Sequence, residues 1–129
     1  MADRIVLKAP LDGQFGPVIR LIVGGIAERA DFGFEAMDDL QLAIEQLLAE
    51  TGFDGRVTFS FDIAPGRIRV RMGPLLEAGL AGALQDPDNS PGRLTLSRIL
   101  ETVVDSFGVE DATDGEIVVR LEKLVMAAP

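Results

Sequence analysis

At 129 residues the chain can bury roughly two thirds of its unfolded surface in one core and is too short for two, so residues 1–129 are expected to form a single domain. Its 12 Lys and Arg stand against 21 Asp and Glu, and the net charge of −9 disfavours direct nucleic-acid binding and anionic membranes while favouring a basic protein partner. The absence of Cys and His excludes disulfides, thiolate metal sites and the commonest general base. No stretch approaches the roughly 18 apolar residues of a spanning helix, which predicts a soluble, cytoplasmic protein.

Arg4 to Ala9 is rich in branched apolar side chains and is followed by Pro10 and Asp12-Gly13, the pattern of a first strand ending in a turn. Gly16-Pro17 opens a helix to about Ala30, because proline is tolerated in a first turn whose N–H groups have no intrahelical acceptor. Val18, Leu21, Ile22 and Ile26 mark its expected buried face. Gly24-Gly25 is either a close-packing site or a local weakness. Asp31-Phe32-Gly33 turns the chain into a strongly patterned helix, Asp38 to Glu50. There Leu40, Ile44 and Leu47 recur at helical spacing, Phe34 and Met37 extend the stripe backwards, and Leu42, Ala43 and Leu48 widen it. Such breadth predicts a helix packed across a sheet and covered on its flanks. Gly52 is placed to end it in a left-handed conformation.

Val57 to Ile63 and Arg67 to Met72 alternate with period two around Ala64-Pro65-Gly66, which predicts a hairpin with Arg67, Arg69 and Arg71 on one face. Those arginines form either an anion or acidic-partner surface or, more commonly on such strands, a solvated face or one paired with cross-strand acids. Leu75 to Leu84 has weak helical spacing interrupted by Gly79 and Gly82, and Gln85 to Gly92 is dense in breakers, as in a mobile loop. A last helix is expected from about Leu94 to Asp105, with Leu96, Ile99, Leu100 and Val103 inward. Phe107 to Val109 and Gly115 to Glu122 complete a second hairpin around Asp114-Gly115. This order predicts an α+β fold, a two-layer α/β sandwich with a mostly antiparallel sheet covered on one face by helices.

The order and local sequence resemble the anti-sigma factor serine kinases of the RsbW type, which share the histidine-kinase-like ATPase fold. The resemblance rests on Val18-Ile19-Arg20, on Asp39-Leu40-Gln41-Leu42-Ala43-Ile44, on Leu100 to Asp105 and on the closing Asp114 to Leu121, and so extends over most of the chain. It implies partner-switching transcription control, with a sigma factor or an anti-anti-sigma domain as protein partner, and a homodimer.

At the positions that bind nucleotide in that family the chain departs from the pattern. Gln46 stands where the family has its catalytic Glu, and Glu50 where it has the Mg-binding Asn. An amide cannot act as a general base. Glu50 can ligate Mg²⁺ through oxygen, but it adds negative charge beside a triphosphate. Shifting the register by one brings Glu45 to the catalytic position and loses the matches at Asp39 and Ala43. Met72, before Gly73, occupies the place of the adenine-reading Asp, a hydrogen bond that a thioether does not replace. Leu94-Thr95-Leu96-Ser97 faces the phosphate-gripping glycine turn, with Gly92 the only nearby glycine. The expectation is therefore a regulatory binding protein with no catalytic residues and no cofactor, its degenerate site represented by Gln46, Glu50, Met72, Gly73 and Gly92. Asp31, Glu35, Asp38 and Asp39 are the expected partner-binding residues, from a segment between Asp31 and Gly55 with seven acids and no Lys or Arg. A solvated acidic face is the blander account of the same run. The alternatives are an ATP-dependent protein serine/threonine kinase acting on an anti-anti-sigma factor and a non-catalytic homodimeric scaffold. In the kinase, Glu45 or Glu50 serves as base or metal ligand, Mg-ATP is the cofactor, and the Gly92 loop holds the phosphates.

Overall fold

Period-two alternation in five segments builds one sheet, and 3.6-residue periodicity in three others builds a helical layer over it. The computed structural model describes residues 3–10, 15–51, 55–76, 95–112 and 115–125. In chain order these form β1 (Asp3–Pro10), α1 (Gly16–Arg29), α2 (Phe34–Thr51), β2 (Arg56–Ala64) and β3 (Arg67–Leu76), then α3 (Leu96–Val103), β4 (Ser106–Asp111) and β5 (Glu116–Leu124). The strands lie in the order β1-β2-β3-β5-β4 and every neighbouring pair is antiparallel. The expected two-layer sandwich is the architecture found.

One sheet face is apolar because alternate residues point to it: Val57, Phe59, Phe61 and Ile63 from β2, Ile68, Val70 and Met72 from β3, Ile117, Val119 and Leu121 from β5. Leu40, Ile44 and Leu47 of α2 are buried in the same core, as are Leu96, Leu100 and Val103 of α3. Ile99 is half-buried. At about 25 cal/mol per Å² of apolar surface, this continuous core is the main source of stability.

Three expectations are corrected. On α1 the buried residues are Ile19, Val23, Ile26 and Ala27; of the expected face Ile26 is buried and Ile22 packs half-buried against the core, so the helix is rotated away from Val18 and Leu21. Val18 and Leu21 are exposed, because α1 is apolar on two sides and only one can face the core. Phe34 does not continue the α2 stripe; it is 81% exposed in the first turn. Leu75 and Leu76 belong to β3, paired with Ile117 and Glu116 after a register irregularity that follows Met72, so helical leucine spacing there yields to sheet pairing. Residues 77–84, the Gln85 to Gly92 loop and Gly52 lie outside the described residues.

The Gly24-Gly25 pair resolves into two roles. A Cβ on Gly24 would stand 3.2 Å from Gln41 Nε2 and 3.6 Å from Met37 Sδ, so this residue sets the close approach of α1 to α2, whereas Gly25 faces open space. At the β2–β3 turn Gly66 has φ +75, donates its N–H to Ala30 O and accepts from Val125 N, tying the hairpin tip to the end of α1 and to the end of β5.

Candidate functional site at the flanks of α2

The periodicity that buries Leu40, Ile44 and Leu47 turns the polar residues of α2 to its two sides. On one side Lys123 of β5 donates to Asp39 Oδ2 at 3.3 Å and to Val103 O at the end of α3 at 2.8 Å. Gln46 follows Asp39 by two helical turns and Glu50 follows by three, so both continue the flank that faces α3. Gln46 is half-buried and Glu50 exposed. On the other side Arg20 of α1 binds Glu45 Oε1 at 2.5 Å and Asp38 Oδ1 at 3.1 Å. The hydrogen bond donated to Glu45, the charge of Glu45 and the Asp38 carboxylate together push the Arg20 guanidinium pKa up. Glu45 is thereby held on the α1 side, away from Gln46 and Glu50.

At the sheet, Met72 is 1% exposed, on the core face between Phe59 and Val119 of the flanking strands. The neighbouring Gly73 has a structural cause: a Cβ there would lie 2.9 Å from Ile117 O, 3.0 Å from Val118 Cγ2 and 3.1 Å from Val118 Cα. The backbones of β3 and β5 meet too closely for a side chain. Leu96 opens α3 with its side chain buried, and Thr95 caps the helix by accepting from Arg98 N. Met72 and Leu96 therefore belong to one apolar core with the inner face of α2. Gly92 and Leu94 lie outside the described residues, and among the described residues no three Asp or Glu converge as a metal-binding group.

The four expected partner-binding acids gather at the α1–α2 turn and the first turns of α2. Asp31 takes φ +61 in that turn, and the carboxylates near the helix start are favoured by the macrodipole. They divide into two pairs: Asp38 and Asp39 are held by Arg20 and Lys123, while Asp31 and Glu35 are exposed and form no ion pair among the described residues. The acidic run thus receives its counter-charges from distant segments. Glu35, Asp39 and Lys123 also line a shallow depression with Gly33, Ala36 and Leu124.

On the sheet's other face Arg69 binds Glu122 at 2.9 Å and Arg71 binds Glu110, the cross-strand pairing expected for such a row. Three residues escaped the sequence reading. Arg20 joins two acids of α2, Gln41 is 7% exposed and donates to Arg20 O at 2.9 Å, and Lys123 bridges three elements. Lys123 had a signal, since it continues the core-facing parity of Val119 and Leu121. Gln41 had none, because a glutamine between leucines carries no mark of its acceptor.

No protein-family model matches the chain. Over 79 residues it is 32% identical to the "Serine-protein kinase RsbW" of Listeria innocua serovar 6a, an alignment covering 56% of this chain and 50% of that protein. The proteins of the same name from Listeria monocytogenes serotypes 4a and 4b match at the same identity and coverage. The chain spans about half the length of the curated relatives it matches. Over that half, its sequence similarity is to the serine-protein kinase RsbW family.

Proposed function

We propose that this chain is a regulatory binding protein of the anti-sigma type found in partner-switching transcription control, acting by sequestration with neither ATP binding nor phosphoryl transfer. The observation that carries this reading is Met72. At the place where the resemblance requires an adenine-reading carboxylate, a thioether is packed into the core, and an acid there would have to be buried without a counter-charge. Two further departures support it. Gln46 offers an amide where a general base is needed, and Leu96 fills core space where a flexible glycine turn would admit phosphates. The residues at hand do not fit Mg-ATP, so no catalytic step is derived from it. Recognition falls to the α2 surface at Asp31, Glu35, Asp38 and Asp39, which suits a basic patch on a sigma factor or an anti-anti-sigma domain.

Calorimetric titration with Mg-ATP is the direct test, with no saturable heat as the expected result. Tight, magnesium-dependent binding would overturn the reading and favour an ATP-dependent serine/threonine kinase, the activity named for the matched relatives. Co-expression with sigma factors and anti-anti-sigma domains tests the partner class; a set of such domains with no member retained by the chain contradicts sequestration. The reading also includes a homodimer, supported by the edge of β1, unpaired among the described residues, and by the exposed Val18 and Leu21 of α1.

A further inference from the structure

The helices cover one face of the sheet, and the opposite face has a charge unlike that of the chain as a whole. By strand alternation Arg4, Lys8, Arg56, Arg67, Arg69, Arg71 and Arg120 point to it, against Asp62, Glu110, Glu116 and Glu122. Seven basic and four acidic residues leave this face at +3 within a chain of −9. Among the described residues its ion pairs are incomplete: Lys8, Arg56 and Arg67 form none. Arg4 is matched by Asp62 and Arg69 by Glu122, but Arg71 and Arg120 stand directly opposite each other and share the single carboxylate of Glu110. These side chains line a depression of about 400 Å³, and exposed apolar groups flank it, Val6 at 55% on β1 and Leu124 at 47% on β5.

We propose that this open face docks an acidic protein segment, which sets carboxylates over Arg71 and Arg120 and apolar side chains over Val6 and Leu124. The pattern selects that occupant. A uniform polyanion such as nucleic acid meets Asp62, Glu110 and Glu122 in the middle of the patch and the repulsion of a −9 chain around it. A second copy presenting the same face sets +3 against +3. A segment that alternates acids with apolar residues places charge only where the patch is positive, and one of its carboxylates gives the Arg71–Arg120 pair the second acid it lacks among the described residues. The depression at Arg71 and Arg120 lies on the far side of the sheet from Asp31, Glu35, Asp38 and Asp39; Leu124 alone borders both surfaces, so substitutions at the two arginines test this proposal separately.

The test uses the full chain and a labelled peptide alternating Glu with Leu, followed by fluorescence anisotropy at about 50 and 300 mM NaCl. Saturable binding is expected, weakened by the higher salt and reduced about tenfold or more in Arg71→Gln/Arg120→Gln, with no change in Asp31→Asn/Glu35→Gln. Neutral glutamines retain the strand polarity, and an unaltered thermal transition shows that the fold is kept. If that variant unfolds, Val6→Asp alone is expected to weaken binding, because it removes an apolar contact and repels the peptide's acids, and amide shifts confined to the strands locate the peptide. The proposal is overturned by equal binding of a Lys-Leu peptide, by affinity unchanged in both variants, by a single-stranded oligonucleotide displacing the peptide from this face, or by a second copy occupying it.

Discussion

At Gly73 the approach of β5 leaves no room for a methyl group, and two of the three nearest atoms belong to backbone. Gly73→Ala therefore has to push two paired strands apart, and it is expected to cost about 1–3 kcal/mol in urea denaturation with an unchanged m-value. A glycine kept only for nucleotide access would tolerate alanine with stability intact. Asp62 offers a second residue-scale test, through pH. The hydrogen bond from Arg4 is the largest influence on its carboxyl and holds it below the ordinary 3.8, helped by the charges of Arg4, Arg69 and Arg71 and opposed by partial burial. A depressed folded pKa stabilises the protein above the unfolded value, and that contribution is lost as pH falls through the folded pKa. Arg4→Ala should move the Asp62 titration upward by NMR and make acid unfolding begin at higher pH, with a small effect at neutral pH because Arg4 is exposed. An Asp62 titration that stays in place in this variant would assign its depression to Arg69 and Arg71.

Element by element, α2 is the part that the sequence describes best. Leu40, Ile44 and Leu47 are all buried as their spacing requires, so Ile44→Ala should cost about 2–5 kcal/mol. Phe34→Ala, at the exposed start of the same helix, should change stability by less than about 0.5 kcal/mol. Thermal or denaturant unfolding of the two variants checks the contrast, and a costly Phe34→Ala would mean that the ring is covered in solution. The hairpins were equally legible, because turn glycines and period-two alternation agree there. Where two signals competed, the sequence was ambiguous. Val18, Leu21 and Ile22 lead to Ile26 at helical spacing as well as Ile19 and Val23 do, and only the placement of α1 over the sheet decides between the two stripes. Leu75 and Leu76 have leucines at helical spacing after them, but the pairing partners that make them strand lie some forty residues away in β5. At the flanks of α2 the acids were legible as a run, whereas their partners Arg20 and Lys123 were not, because both come from distant segments. That Asp38 and Glu45 turn to Arg20, and Asp39 to Lys123, follows from which flank of α2 each occupies once its neighbours are in place.

For the molecule as a whole, the two ends of the sheet differ in what they expose. β4 closes one end with a strand of six residues that includes Glu110 and Asp111, and charge of this kind discourages further pairing. β1 closes the other with eight residues, its outer edge unpaired among the described residues and Ile5 and Val6 exposed on its two faces. The Arg29–Asp3 ion pair ties α1 to this strand. An open strand edge and an apolar helix stripe thus belong to adjoining elements, with Leu21 78% exposed on that helix. Removing such a surface from water is worth roughly 25 cal/mol per Å² before association costs, and a second copy supplies its own edge and stripe by two-fold symmetry. Leu21→Asp places a charge in that contact while leaving the buried face of α1 untouched. Light scattering should give twice the chain mass for the wild type at micromolar concentration and the single-chain mass for Leu21→Asp, with the same thermal transition in dilute solution. A wild-type monomer, or a dimer indifferent to this substitution, would place any self-association elsewhere and leave the β1 edge for a different partner.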